Sequence, residues 1–343
     1  MPNESSALFF NAWLQRACKA VALLFCVSLA THAGDINNTE LYQTHALGRE
    51  PITPIPHIAD LNPLKVALGE QLFADPVLSK GNAMSCATCH ILVIGGMDQQ
   101  QFSYGVSGEP LPVNTPTIFN IRFNSHYNWN GRFENINDQN DRVISFTLQT
   151  SWEDIAKKLN ESDNYRQAFN AVYNTNIVRP HDIRDALVAY QKSLITPNSR
   201  FDRYLKGELN AINTVEKQGY DRFKRLGCVA CHQGVNIGGN VFQRFGLFEE
   251  YFSNRGNITT VDFGRFTITG RERDRFVFRV PSLRNIAITA PYFHDGSAAT
   301  LEEAVKTMAR YQLGHTPTAE DVRLIVAFLR TLTGEHNGAS LEH

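Results

Sequence analysis

Two short stretches of the sequence carry recognisable chemistry: Ser85-Cys86-Ala87-Thr88-Cys89-His90 and Gly227-Cys228-Val229-Ala230-Cys231-His232. Each contains C-x-x-C-H, a pair of thiols followed directly by an imidazole. That arrangement suits covalent attachment of a c-type haem, with the thiols added across the porphyrin vinyl groups and the histidine beneath the iron. The chain has 6 cysteines, and all but Cys18 and Cys26 lie in these motifs. Zinc ribbons also use two C-x-x-C pairs, but they space them by roughly 15–20 residues, whereas these pairs lie in different halves of the chain. A disulfide oxidoreductase would set one C-x-x-C among strands and helices in alternation, and neither pair has strand-like flanks. Two covalent haems are therefore expected, one on Cys86, Cys89 and His90, the other on Cys228, Cys231 and His232. The protein reads as a redox protein.

The elements that position these motifs follow from spacing. At 343 residues the chain has room for about two domains, one per motif. Net charge is −1, and there is no basic run, which argues against a nucleic-acid partner. Residues 1–33 read as a signal peptide. Arg16 and Lys19 precede the apolar run 20–30, which is short for a membrane span, and Thr31-His32-Ala33 offers small residues before Gly34. Export fits haem attachment, so a periplasmic protein without stable membrane insertion after cleavage is expected. Residues 34–63 are polar and punctuated by proline, an extended lead-in.

Val66, Gly69, Leu72 and Phe73 recur at helical spacing up to Asp75-Pro76, where proline disfavours helix at the residue before it. Val215, Gly219, Phe223 and Leu226 do the same before the second motif. Both helices contain G-x-x-x-F, and a glycine on a packed face lets a second helix cross closely. Helical pattern also covers 151–172 and 180–195. Thr300-x-x-Glu303 opens a helix running through Met308, and Thr318-x-x-Asp321 opens the last one. The runs 97–117 and 234–279 look irregular, and Thr196-Pro197-Asn198-Ser199 reads as a linker. The expected fold is mainly α, two cytochrome c-like haem domains in tandem, covering 34–200 and 201–335. The closing Leu341-Glu342-His343 is assigned no role.

Beyond these motifs, residues from about 64 to 334 resemble the bacterial dihaem cytochrome c peroxidase superfamily, which includes the MauG-type enzymes. The matching stretches are Leu68-Gly69-Glu70-Gln71-Leu72-Phe73, the first haem motif, Asn114-Thr115-Pro116-Thr117, Ser193-Leu194-Ile195-Thr196-Pro197, Arg279-Val280-Pro281-Ser282-Leu283-Arg284-Asn285 and Ala290-Pro291-Tyr292-Phe293-His294-Asp295-Gly296-Ser297. The resemblance implies that the second haem takes in electrons, with His232 proximal and Met308 opposite, and that the first haem, on His90, meets peroxide. It places Trp129 between the haems and Gln139 as a distal group. It also implies an interdomain Ca²⁺ held by the Asn114 side chain with the Thr289 and Pro291 carbonyls.

The chain departs from the family pattern at three places. Val106 stands where a distal histidine caps the first haem, Gln149 where a glutamate moves the peroxide proton, and Val113 where an arginine precedes Asn114. Tyr104 and His126 are the alternative caps, and Glu153 and Asp138 the alternative acids. Three functions follow. One is a peroxidase that reduces hydrogen peroxide with electrons from a small carrier, a cytochrome c or cupredoxin. A second is a MauG-like enzyme that oxidises residues of a partner protein through a high-valent two-haem state, favoured by Val106; that branch has a tyrosine opposite the second haem, where this chain has Met308. The third is a non-enzymatic electron-transfer or peroxide-sensing cytochrome, favoured by Gln149. A homodimer is also in keeping with the family.

Overall fold

Helix α1 (Pro63–Ala74) begins where Asn62 accepts hydrogen bonds from the backbone N–H groups of Leu64 and Lys65, and it ends at Asp75 ahead of Pro76. The structure, a computed structural model, describes residues 50–58 and 60–342; the signal-peptide reading of 1–33 lies outside them. Among the described residues no helix is long and apolar enough to cross a membrane.

The first half continues through α2 (Ile136–Arg142), α3 (Trp152–Asn160), α4 (Asp163–Tyr173) and α5 (Pro180–Ser193). The pattern over 151–172 is thus two helices, because Ser162 accepts from Tyr165 N and starts a new one. The second half holds α6 (Arg200–Leu205), α7 (Thr214–Arg225), α8 (Tyr251–Arg255), α9 (Phe266–Thr269), α10 (Leu301–Leu313) and α11 (Ala319–Arg330). Capping boxes start α7 at Asn213 and Glu216, α10 at Thr300 and Glu303, and α11 at Thr318 and Asp321. Two antiparallel ladders are the only named sheets among the described residues, β1 (Phe242–Arg244) with β2 (Val277–Arg279) and β3 (Glu335–His336) with β4 (Ala339–Ser340). The fold is mainly α, as its sequence pattern implies.

The two halves are built alike. A Cβ on Gly69 would lie 2.0 Å from the Ala186 carbonyl oxygen, and one on Gly219 would lie 2.0 Å from that of Leu324. Glycine therefore lets α1 cross α5, and α7 cross α11, at backbone contact. Each crossing carries a core. Leu72, Phe73, Ile155, Phe169, Ile183 and Leu187 fill the first, and Phe201, Tyr220, Phe223, Ile325 and Phe328 the second. A third, aromatic cluster gathers Phe245, Tyr251, Phe252 and Phe278 against Trp129, Phe293 and Met308.

The chain ties the halves together at several points. Thr196, in the stretch expected as a linker, is fully buried. Its N–H donates to Asn120 Oδ1 at 2.9 Å, and Asn285 Nδ2 donates to its hydroxyl at 3.0 Å. The lead-in is anchored too. Ile52 is buried in the second core, and Thr53 O accepts from Arg284, whose guanidinium pairs with Asp202 at 2.7 Å in a fully buried ion pair. Removing one partner of such a pair leaves a buried charge uncompensated, which costs about 3–5 kcal/mol. Leu341, assigned no role from sequence, packs into the first core.

Candidate haem centres and the bridge between them

Cys86 to Thr88 form a 3₁₀ turn capped by Ser85, whose N–H donates to the Thr88 hydroxyl at 3.0 Å. The turn continues into His90, whose N–H donates to Cys86 O at 3.0 Å. His90 Nδ1 lies 3.0 Å from Gly96 O. A carbonyl only accepts, so Nδ1 carries the proton and Nε2 is left with its lone pair, the state needed to bind iron. Burial lowers the His90 pKa, which keeps the ring neutral. Phe73 of α1 stands 6.4 Å from its ring.

The second centre repeats this construction. Cys228 to Ala230 form the 3₁₀ turn, and His232 N donates to Cys228 O at 3.0 Å. His232 Nδ1 lies 3.3 Å from Ile237 O, and Phe223 stands 6.4 Å from the imidazole. Burial pushes the His232 pKa down to about 4. No disulfide joins the four motif cysteines. Burial pushes the Cys86 and Cys228 thiols up to about 12, so both remain neutral thiols.

A cavity of about 420 Å³ opens over the second motif. Its wall is largely apolar and includes Cys228, Cys231, His232, Met308, Phe245 and Leu329. Trp129, Asn114, Thr289 and Pro291 line the same cavity, so residues singled out from both halves converge on it. An apolar wall, a neutral imidazole and two cysteines outside any disulfide fit a covalently held porphyrin. The neutral imidazole and the same turn geometry at His90 fit a second one.

Around the first motif, Val106 is half-buried against the first core, its N–H donating to Thr147 O at 3.0 Å. Its side chain has no atom that binds iron. Tyr104 is 57% exposed. His126 is occupied elsewhere, with Nδ1 at 3.1 Å from Ser125 Oγ and its ring edge-on to Phe242 at 4.9 Å. Gln139 is half-buried on α2, whereas Gln149 is exposed on left-handed backbone (φ 51°) just past a π-helical turn at Val143–Thr147. Asp138 is used locally, its carboxylate accepting from Asn135 Nδ2 at 2.9 Å. Glu153 is exposed in the first turn of α3.

Trp129 Nε1 donates to Asn114 O at 2.8 Å. Its ring meets His294 edge to face, with centroids 6.4 Å apart. His294 is buried, and its Nε2 lies 2.7 Å from Asp262 Oδ1. Sequence reading gave His294, Asp262 and Arg255 no role. The signal that finds them is an internal repeat: Tyr127-Asn128-Trp129-Asn130-Gly131 stands at the same distance from Asn120 as Tyr292-Phe293-His294-Asp295-Gly296 does from Asn285.

Comparison with known proteins agrees with this architecture. A family model described as di-haem cytochrome c peroxidase matches residues 63–210. The chain is 42% identical over 288 residues to the cytochrome c551 peroxidase of Nitrosomonas europaea, covering 83% of this chain and 85% of that one. It is 42% identical over 288 residues to the cytochrome c peroxidase Ccp of Escherichia coli strain K12, again over 83% of this chain, but spans only 61% of that relative's length. Among solved structures, a MauG-like protein associated with microbial copper homeostasis superposes with a TM-score of 0.73 at 27% identity, covering 83% of this chain and 95% of the other. With two haem motifs built on one plan and this degree of likeness over most of its length, the chain belongs to the di-haem cytochrome c peroxidase family.

Proposed function

We propose that the protein reduces hydrogen peroxide at its first haem centre with electrons that enter at its second. The observation carrying this reading is the difference between two centres of one design. Met308 lines the cavity of the second, whereas the loop beside the first offers Val106, which ligates nothing. Bound at these motifs, haem supplies an iron that is oxidised by peroxide at one centre and that stores an electron at the other. A thioether opposite histidine raises the potential of a haem, which suits Met308 to the electron-entry centre.

The residues of the chain then have distinct tasks. His90 and His232 hold iron through Nε2, and the carbonyls of Gly96 and Ile237 fix their ring orientation. Gln139 holds peroxide through its amide, which donates and accepts hydrogen bonds. Trp129, in the wall of the second cavity, relays electrons between the centres. Asn114 donates through Nδ2 to Gln100 O at 2.9 Å and to Gln101 O at 3.3 Å, which leaves Oδ1 to face a cation. With the Thr289 and Pro291 carbonyls it forms a Ca²⁺ site of hard oxygen ligands. A cytochrome c or cupredoxin as donor, a periplasmic location, and a homodimer complete the reading.

The test is steady-state peroxide reduction by the two-haem protein with a reduced small cytochrome or cupredoxin. Turnover is expected, and its absence with every such donor would overturn the proposal. Val106 also supports a second reading, MauG-like oxidation of a partner protein. Adding peroxide to the fully oxidised protein tests it: a long-lived near-infrared band favours the MauG-like route, and rapid return to the starting spectrum excludes it.

A further inference from the structure

Trp129 and His294 hold the same position in the two repeats. Asn120 and Asn285 both have left-handed backbone, φ 60° and 61°. Downstream of each, Tyr127 bridges Phe133 as Tyr292 bridges Ala298. The turns match as well: Asn128 and Phe293 have φ 65° and 73°, and Gly131 and Gly296 have φ 65° and 61°. The two hairpins meet through reciprocal hydrogen bonds. Asn114 N donates to His294 O at 2.8 Å, and its counterpart Arg279 N donates to Trp129 O at 2.9 Å.

The backbones are thereby fixed from both sides, but the ring anchors differ. The Trp129 indole N–H ends on a peptide carbonyl, which takes no proton. His294 ends on Asp262, which also accepts from Arg255 Nη2 at 2.7 Å, from Thr259 N at 2.6 Å and from Thr259 Oγ1 at 3.0 Å. The nitrogen and carboxylate oxygens of Asp262, His294 and Asp295 lie within 4.8 Å of one another. Arg255 binds both carboxylates, so the cluster already holds its cation and is an ion-pair set. Such a set prevents His294 from turning, and His294 forms the edge against which the indole rests.

We propose that His294, clamped by Asp262, is the positioning residue for Trp129, fixing the indole in the orientation that couples the two centres. The proposal rests on the relay reading of Trp129. In that role Trp129 gives one electron to the first centre once hydrogen peroxide has oxidised it and takes one back from the second, keeping its proton because Nε1–H is bonded to a carbonyl. Electron transfer falls steeply with distance, and the backbone bonds alone leave the indole side-chain torsions unset.

The experiment mixes the half-reduced holoprotein, its second haem ferrous, with hydrogen peroxide in a stopped flow and follows the absorbance of the second haem as it is oxidised. His294→Leu is expected to slow this oxidation by about tenfold, equivalent to about 1.4 kcal/mol of barrier. His294→Gln, which can still bond Asp262, is expected to recover most of the rate. In a Trp129→Phe background His294→Leu is expected to add nothing. Haem content and melting temperature identify any variant that fails to fold. The positioning role is overturned if His294→Leu leaves the rate unchanged while Trp129→Phe slows it, or if it slows both backgrounds by the same factor. A Trp129→Phe protein with undiminished transfer removes the relay itself, and the positioning role with it.

Discussion

Gly69 rests directly on Ala186: a β-carbon there would sit 2.0 Å from the Ala186 carbonyl oxygen and 2.7 Å from Tyr190 Cβ. Neither neighbour can yield, since one is helix backbone and the other a main-chain-proximal carbon. Gly219 stands in the same relation to Leu324 and Phe328. These contacts set where α1 and α7 lie, and so where Phe73 and Phe223 meet the two histidines. Gly69→Ala and Gly219→Ala are each expected to lose about 1–3 kcal/mol, the usual cost of forcing atoms into a filled core. Denaturant melts measure it, and an unchanged midpoint would show that the helices part more readily than their spacing implies.

Met308 shares a cavity with His232. If its sulfur closes the second iron, cyanide should bind one iron in the wild-type protein and both in Met308→Ala. The second haem of that variant should also have a lower potential, because a thioether ligand raises it. Equal cyanide stoichiometry in the two proteins would remove Met308 from the ligand set.

The first iron is expected to be open in the ferric protein because Val106 cannot ligate it. Val106→His should restore a cap, converting a high-spin ferric signal to low-spin and slowing peroxide turnover until the protein is partly reduced. Electron paramagnetic resonance of the two ferric proteins reads this. A wild-type protein with two low-spin haems would sink the open-site reading.

Asp262 gives a pH signature. Burial alone would raise its pKa, but hydrogen bonds from His294, Arg255 and Thr259 outweigh burial and hold the carboxyl well below its ordinary 3.8. Its folded form therefore binds protons less readily than its unfolded form. The stability it contributes is complete above 3.8 and drains away as pH falls through and below that value. Asp262→Asn should be less stable at neutral pH, and its melting temperature should fall less from about pH 5 to about pH 3 than that of the wild type. Parallel curves would show that the carboxylate is not what the fold relies on.

Much of this arrangement is legible in the chain. The haem motifs are contiguous, so chemistry and spacing alone identify them. Helix starts at Thr300 and Thr318 are equally local, because a cap needs only its own next three residues. The break at Ser162 was hidden by helical spacing that runs on through it. The burial of Thr196 is not legible for another reason: its partners, Asn120 and Asn285, are far away in sequence.

The sequence by itself determined that the chain carries two C-x-x-C-H motifs, that the fold is mainly helical, and that valine stands at position 106. Tertiary structure alone decided that Trp129 meets His294 and that Asp262 and Arg255 stand behind that contact. The physical reason is range. Covalent motifs and caps are short-range and written in consecutive letters, whereas these contacts join hairpins and helices that meet only once both cores have packed.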